Sequence, residues 1–225
     1  MSEVMATWAI LVAAGRGERL GLEQPKAFAR LGEDPLLAEP LRRLEESDWV
    51  DAIVLVAPPG WEEPAILLAE ELGCGKVSAC VPGGETRADS VRAGMAEVPA
   101  DAVVVLVHDA ARPLLPEAVI ERVLAPLSEG WDGAVPGLRV ADTLKRVGAD
   151  GAIGETVSRD GLYAVQTPQA FPADVLRAAV AAGGDATDCA ALVEARGGRV
   201  TVVPGDPLLL KVTTADDLAK IASWL

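Results

Sequence analysis

The sequence predicts an α/β fold in three layers, a mostly parallel sheet with helices on both faces, and three observations carry that reading. Short apolar runs rich in Val and Ile recur along the chain, amphipathic stretches of helical length lie between them, and one polar, glycine-threaded interval breaks the alternation.

The apolar runs are Trp8 to Ala13, Ala52 to Ala57, Val77 to Val81, Ala102 to Val107, Gly133 to Pro136 and Val200 to Val203. Near-continuous hydrophobicity of this length marks strands buried on both faces, as in parallel sheets. Between them, Pro35 to Glu46, Glu62 to Leu72, Arg87 to Val98 and Pro116 to Leu127 are long enough to be crossover helices. The exceptional interval, Leu138 to Tyr163, carries Gly148, Gly151, Gly154 and Gly161 and the alternation Thr143, Lys145, Val147, so it reads as an extended hairpin. A projecting hairpin cannot bury its own apolar residues, and packing against a second subunit is a natural way to order it. Residues 138–161 are therefore expected to be a dimerisation arm on a single domain spanning residues 1–225, with no repeat or linker dividing the chain.

Composition narrows the function. At 225 residues and half hydrophobic, the chain can bury one large core without staples. Lys+Arg 20 against Asp+Glu 34 leaves a formal charge of -14, which repels nucleic acid and anionic membrane over most of the surface. A phosphorylated ligand then needs basic residues gathered at one place, and Arg16, Arg19, Lys26 and Arg30 supply such a cluster. Cys74, Cys80 and Cys189 form no CxxC pair and read as reduced thiols. The first residues lack the pattern of a secretory signal, and no apolar run reaches the roughly 18 residues of a membrane span, so the expected location is the cytoplasm.

The strongest chemical signal is the strand WAILVA running into AAGRGERLG and then QPKAF. Ligands of open α/β sheets bind at the carboxyl ends of strands, and a glycine-rich loop there lets backbone N–H groups approach phosphate oxygens. Ala13, Ala14, Gly15 and Gly17 form that loop, while Arg16, Arg19 and Lys26 supply charge to hold a triphosphate and offset charge developing during transfer. A dinucleotide fingerprint is excluded, because Leu20 stands where a third Gly belongs and Ala57, Pro58 and Pro59 follow the second strand where an acidic residue belongs. A Walker loop is excluded because Gly21 is followed by Leu22 and Glu23.

Two further blocks stand at strand ends. In PGGETRADSVRAG, paired glycines precede a helix with Arg87 and Ser90 in its first turns, which suits a base or ribose, although a capping turn explains the same pattern. In VVLVHDAARPLL, Asp109 ends an apolar strand, well placed for Mg2+ and ribose hydroxyls, with Arg112 following. His108 reads as a hydrogen-bonded structural histidine. Thr143, Arg159, Thr167, Thr187, Asp188 and Lys211 lie in separate loops whose convergence no spacing rule establishes.

Together LVAAGRGERL with PKAF, GGETRADSV, HDAARP, TPQAF and LKVTTADDL, in that order along nearly the whole chain, closely resemble the 2-C-methyl-D-erythritol 4-phosphate cytidylyltransferase family. The resemblance implies a Rossmann-like nucleotidyltransferase sheet with a projecting β-arm, a homodimer joined by that arm, and CTP bound with Mg2+ or another divalent cation. It implies that Arg19 and Lys26 bind the triphosphate and stabilise the transition state, and that Gly84, Glu85 and Ser90 line the cytidine pocket, with Arg87 beside them. Asp109 is then expected beside ribose and metal. Thr143 and Arg159 would hold the acceptor's phosphate in the neighbouring subunit's site, and Thr167, Thr187, Arg112, Asp206 and Lys211 would complete the surroundings of acceptor and triphosphate. Leu209, where relatives often carry Asn, and Cys189, where they carry an acidic residue, depart from the pattern. A ribitol 5-phosphate cytidylyltransferase and a non-catalytic nucleotide-binding subunit of the same fold remain open alternatives on the sequence alone.

Overall fold

The computed structural model describes residues 6–15, 17, 21, 24–184 and 186–225. In chain order the elements are β1 (Thr7–Val12), β2 (Arg30–Leu31), β3 (Asp34–Pro35), α1 (Ala38–Glu46), β4 (Ala52–Ala57), α2 (Glu62–Glu71), β5 (Val77–Pro82), α3 (Arg87–Glu97), β6 (Val104–Asp109) and α4 (Glu117–Leu124). Then follow β7 (Gly133–Arg139), β8 (Leu144–Val147), β9 (Ile153–Val157), β10 (Tyr163–Val165), β11 (Gln169–Pro172), α5 (Ala173–Ala181), α6 (Cys189–Glu194), β12 (Val200–Pro204) and α7 (Ala215–Ala222).

The central sheet has the parallel run β6-β1-β4-β5, and β12 lies parallel to β7. The antiparallel part is residues 163–172, which run as β10 and β11 along one edge of β7 and wedge β11 between β7 and β6. Two-residue alternation sorts each strand between two cores. Ala9, Leu11, Ile53, Leu55 and Leu106 face α1, α2 and α4, while Ile10, Val54, Val56, Val105 and Val107 face α3, α5 and α6. The result is the expected three-layer α/β architecture with a mostly parallel sheet. Each fully buried Leu or Ile adds roughly 1.5–3 kcal/mol of transfer free energy, so these paired apolar layers hold the strand ends in fixed register.

Several element boundaries differ from the sequence expectation, such as β6, which runs to Asp109, and β7, which runs to Arg139, and two of the shifts have clear local reasons. Helix α1 starts at Ala38 rather than Pro35, because Asp34–Pro35 pairs with Arg30–Leu31 as a small hairpin. Helix α4 ends at Leu124, where the chain tightens into a 3-10 turn at Ala125–Glu129 with Pro126 near its start and left-handed Gly130 after it. The polar interval does form an antiparallel hairpin, β8 against β9, in a two-stranded sheet of its own. Its Val147 and Ile153 sit opposite one another and are 55% and 64% exposed. All three cysteines are free thiols. Among the described residues, no helix is long and apolar enough to cross a membrane.

Candidate active site

The loops that leave β1, β4, β5 and β6 meet at one level because their backbones are stitched together there. Ala110 donates to the Val12 carbonyl at 3.0 Å, Ala13 to Val56 at 2.8 Å, and Gly83 to Ala57 at 2.8 Å. At these carboxyl ends opens a cleft of about 460 Å³. The first loop contributes Ala13, Ala14, Gly15 and Lys26, the second Gly84, Glu85 and the start of α3, the third Asp109 to Ala111, and the C-terminal region Lys211. Close approach of the first two loops requires glycine: a Cβ on Gly83 would sit 2.1 Å from that of Ala14. Gly17, at φ +70°, folds back so closely that a Cβ there would lie 2.6 Å from Lys26 Cβ.

Helix α3 points its N-terminus at the cleft, and its capping box accounts for the TRAD sequence. Thr86 Oγ1 accepts from Asp89 N at 3.1 Å, and Asp89 Oδ2 accepts from Thr86 N at 3.2 Å. The remaining free N–H groups and the positive end of the helix dipole favour an anion there. Ser90 is turned to the loop: its hydroxyl accepts from Gly84 N at 3.2 Å and donates to Thr86 O at 3.0 Å. A cap and a ligand-site lining coexist at this block: the capping box is present and residues of the same block line the cleft. Thr86 was not among the candidates, although the T-x-x-D spacing signals it.

Asp109 is the buried centre of the cleft. Arg87 Nε donates to its Oδ1 at 2.9 Å and Lys211 Nζ to its Oδ2 at 2.7 Å. Burial works against its ionisation, but Arg87, Lys211 and Arg112 outweigh it and hold the carboxyl well below the usual carboxylate range. Burial likewise works against the Arg87 charge and is outweighed by the Asp109 carboxylate, so Arg87 stays cationic. Its Nη1 lies 3.5 Å from Cys189 Sγ. Lys26 Nζ donates to the Val212 carbonyl at 3.2 Å. Three cations thus converge with two carboxylates, Asp109 and Glu85, in a chain whose overall charge is -14. That local inversion of sign suits a polyphosphate.

Beneath Asp109 runs a fully bonded polar chain. Asp109 N donates to Thr167 Oγ1 at 3.1 Å, and Thr167 Oγ1 lies 3.1 Å from His108 Nδ1. His108 Nε2 lies 3.0 Å from the Arg112 carbonyl. A carbonyl only accepts, so Nε2 carries the hydrogen and Nδ1 takes the one from Thr167. Burial pushes the His108 pKa down to about 4, leaving the ring neutral. His108 is fully buried and therefore structural, as the sequence suggested.

The other sequence candidates are placed as follows. Arg16 and Arg19 lie outside the described residues. Thr167 is buried under Asp109 and does not line the cleft; its hydroxyl serves the protein's own backbone. Arg112 points away from the cleft and donates to the carbonyls of Leu209 at 2.6 Å and Val165 at 3.5 Å. Asp206 caps the 3-10 turn Pro207–Leu209 through Leu208 N. Thr187 is exposed just before Asp188, the N-cap of α6. Thr143 and Arg159 are exposed at the root of the β8–β9 hairpin and do not line this subunit's cleft. Leu209 is fully buried, and Cys189 is buried against Arg87.

For a divalent cation, the donor set is sparse but usable. Among the described residues no three His, Cys, Asp or Glu side chains form a metal cage. Asp109 has given one lone pair on each oxygen to a cation, so roughly half of its four acceptor sites stay open. Mg2+ is ordinarily held by one or two carboxylates together with substrate phosphates, and the cleft fits that mode.

Residues 7–225 match the family model described as IspD: 2-C-methyl-D-erythritol 4-phosphate cytidylyltransferase. The chain belongs to this family. The 2-C-methyl-D-erythritol 4-phosphate cytidylyltransferase of Saccharopolyspora erythraea is 48% identical over 219 residues, covering 96% of this chain and 97% of that protein. A crystal structure of 4-diphosphocytidyl-2C-methyl-D-erythritol synthase, 32% identical, superposes with a TM-score of 0.83 over 97% of this chain and 98% of the other. The 4-diphosphocytidyl-2C-methyl-D-erythritol synthase of Anaerococcus prevotii DSM 20548, 25% identical, superposes with a TM-score of 0.82 over 99% of each chain. The sheet is therefore the Rossmann-like nucleotidyltransferase sheet of these cytidylyltransferases, and the chain is a cytidylyltransferase by family.

Proposed function

We propose that this cytidylyltransferase transfers CMP from CTP to 2-C-methyl-D-erythritol 4-phosphate, giving 4-diphosphocytidyl-2-C-methyl-D-erythritol and pyrophosphate for isoprenoid precursor biosynthesis in the cytoplasm. The observation that carries the reading is the meeting of Lys26, Arg87 and Lys211 around Asp109 at the carboxyl ends of parallel strands.

An oxygen of the acceptor's phosphate attacks the α-phosphorus of CTP. One P–O bond forms, the bond from the α-phosphorus to the bridging oxygen breaks, and its electron pair leaves with pyrophosphate. No side-chain nucleophile is needed, because such transfers depend on positioning and on neutralising charge spread over the reacting oxygens. Lys26, Arg19 and the N–H groups of the first loop bind the triphosphate, and Lys26 stabilises charge growing on the leaving group. The α3 start and the Gly84–Glu85 loop receive the nucleoside. Lys211, held by Asp109, faces the phosphate that approaches. A divalent cation, Mg2+ in the first instance, held by the triphosphate and Asp109, supplies further neutralisation of phosphate charge when bound.

The acceptor side is completed by a second copy in a homodimer joined through residues 138–161. Support for that reading comes from the exposed pair Val147 and Ile153 on the arm and from Thr143 and Arg159 at its root, outside the subunit's own cleft.

Pyrophosphate release, measured for CTP, UTP and ATP each with methylerythritol phosphate or ribitol 5-phosphate, tests the assignment. Release with CTP and methylerythritol phosphate at least tenfold above every other pair is expected; preference for ribitol phosphate, or no release, overturns it.

A further inference from the structure

Lys211 sits in a stretch without regular structure, residues 210–213, between the 3-10 turn Pro207–Leu209 and α7. Its backbone is held by one main-chain bond, Val212 N donating to the Ala111 carbonyl at 2.8 Å, and otherwise by side chains. Arg112 Nη1 grips the Leu209 carbonyl at 2.6 Å, and Lys26 Nζ grips the Val212 carbonyl at 3.2 Å. Of the two, Lys26 lines the cleft and is a cation for which substrate phosphates compete. The third grip is neutral and buried. Gln166 Nε2 donates to the Asp206 carbonyl at 2.8 Å, and its Oε1 accepts from Asp206 N at 3.0 Å.

This two-point amide pairing imitates one rung of a β-ladder, across 40 residues of chain. The fit is tight on the far side: a Cβ on Gly205 would lie 2.3 Å from Gln166 Oε1. The same short segment also reaches Asp109 and the start of α6, since Thr167 takes Asp109 N and Gln169 Nε2 donates to Asp188 Oδ2 at 2.9 Å. Gln166 itself is buried and absent from the cleft lining, so it touches no substrate.

We infer that Gln166 is a positioning residue for the transfer reaction: by clamping Asp206 it sets the loop that delivers Lys211 to Asp109, and it keeps that loop in place when phosphate draws Lys26 away. The inference rests on the proposed reaction for its catalytic part. The clamp itself does not.

The test combines Gln166→Met, which keeps shape and removes both hydrogen bonds, with Gln166→Glu, which keeps the acceptor for Asp206 N, and with Lys211→Ala. Expected for Gln166→Met is at least a tenfold loss of kcat with KM for CTP within threefold, partial recovery in Gln166→Glu, and less than a threefold further loss when Gln166→Met is added to Lys211→Ala. Losses that multiply in the double variant mean a merely structural role and overturn the inference. Amide hydrogen exchange gives a reading without turnover: exchange at residues 205–212 should quicken at least tenfold in Gln166→Met, and unchanged exchange removes the clamp. Should the parent fail to release pyrophosphate, the proposed function falls while the exchange result still decides the clamp. If Gln166→Met does not fold, Gln166→Glu in the same cycle with Lys211→Ala carries the decision.

Discussion

Lys211 Nζ lies 2.7 Å from Asp109 Oδ2, joining residues 102 apart in sequence across the mouth of one cleft. The two partners are unequally buried: the Asp109 side chain is 9% exposed and the Lys211 side chain 40%. Their replacement should separate stability from chemistry. Asp109→Asn leaves Arg87 as a buried, uncompensated cation and should cost about 3 kcal/mol of unfolding free energy. Lys211→Met removes a partly solvated charge and should change stability by less than about 1 kcal/mol while lowering kcat at least tenfold. Urea titrations beside steady-state kinetics check both; equal stability losses would mean that the pair is not anchored by burial of Asp109.

Lys26 lines the cleft floor at the end of the glycine loop. Lys26→Ala should fold normally and lose at least a hundredfold in kcat, in line with the ~2.7–4 kcal/mol attached to one preorganised donor at a developing charge. Circular dichroism and turnover decide it, and a kcat within a few-fold of the parent rejects the role.

His108 is the chain's one histidine, and burial pushes its pKa down to about 4. The unfolded chain binds the proton near the ordinary value of about 6.5, so the folded state binds fewer protons between those limits. Stability conferred by the neutral ring is therefore present above pH 6.5 and lost as pH falls through 4, by an amount on the order of 3 kcal/mol. Urea unfolding at pH 7.5, 6, 5 and 4.5, compared with His108→Gln, checks the sign. The variant should be less stable throughout and lack the slope between pH 6.5 and 4.5; an identical slope would rule out His108 as its source, and Asp109 could not supply it, because its depressed pKa acts at lower pH.

Val147 and Ile153 present an apolar pair on the exposed arm. The double variant Val147→Lys, Ile153→Lys should shift sedimentation from dimer to monomer at micromolar concentration and lower turnover at least tenfold, because Thr143 and Arg159 of one subunit would no longer reach the other. A parent that is already monomeric, or a monomeric variant with full turnover, excludes the arm from the active assembly.

The parallel strands, the intervening helices and the arm were legible in the residues themselves, because burial on both faces leaves unbroken apolar runs and the arm's alternation with glycines has no helical reading. The first loop, the α3 start and Asp109 were legible too, since the carboxyl end of a parallel strand is where an open sheet binds ligands. Residues 163–172 escaped, because Gln166, Thr167 and Pro168 interrupt the apolar pattern between β10 and β11. Thr167 and Asp206 could be named from motif resemblance but not given their places: one lies under Asp109, the other caps the turn at Pro207–Leu209.

By itself, then, the sequence determined the layered fold, the family and the cationic glycine loop, all of which depend on local residue type and period along the chain. Only the tertiary structure decided that Asp109 is shared between Arg87 and Lys211, that His108 and Thr167 support it from below, and that Gln166 grips the loop carrying Lys211. Those relationships are lateral contacts between segments 22 to 102 residues apart, made by side chains whose direction is set by packing of the two cores and leaves no periodic trace in the chain.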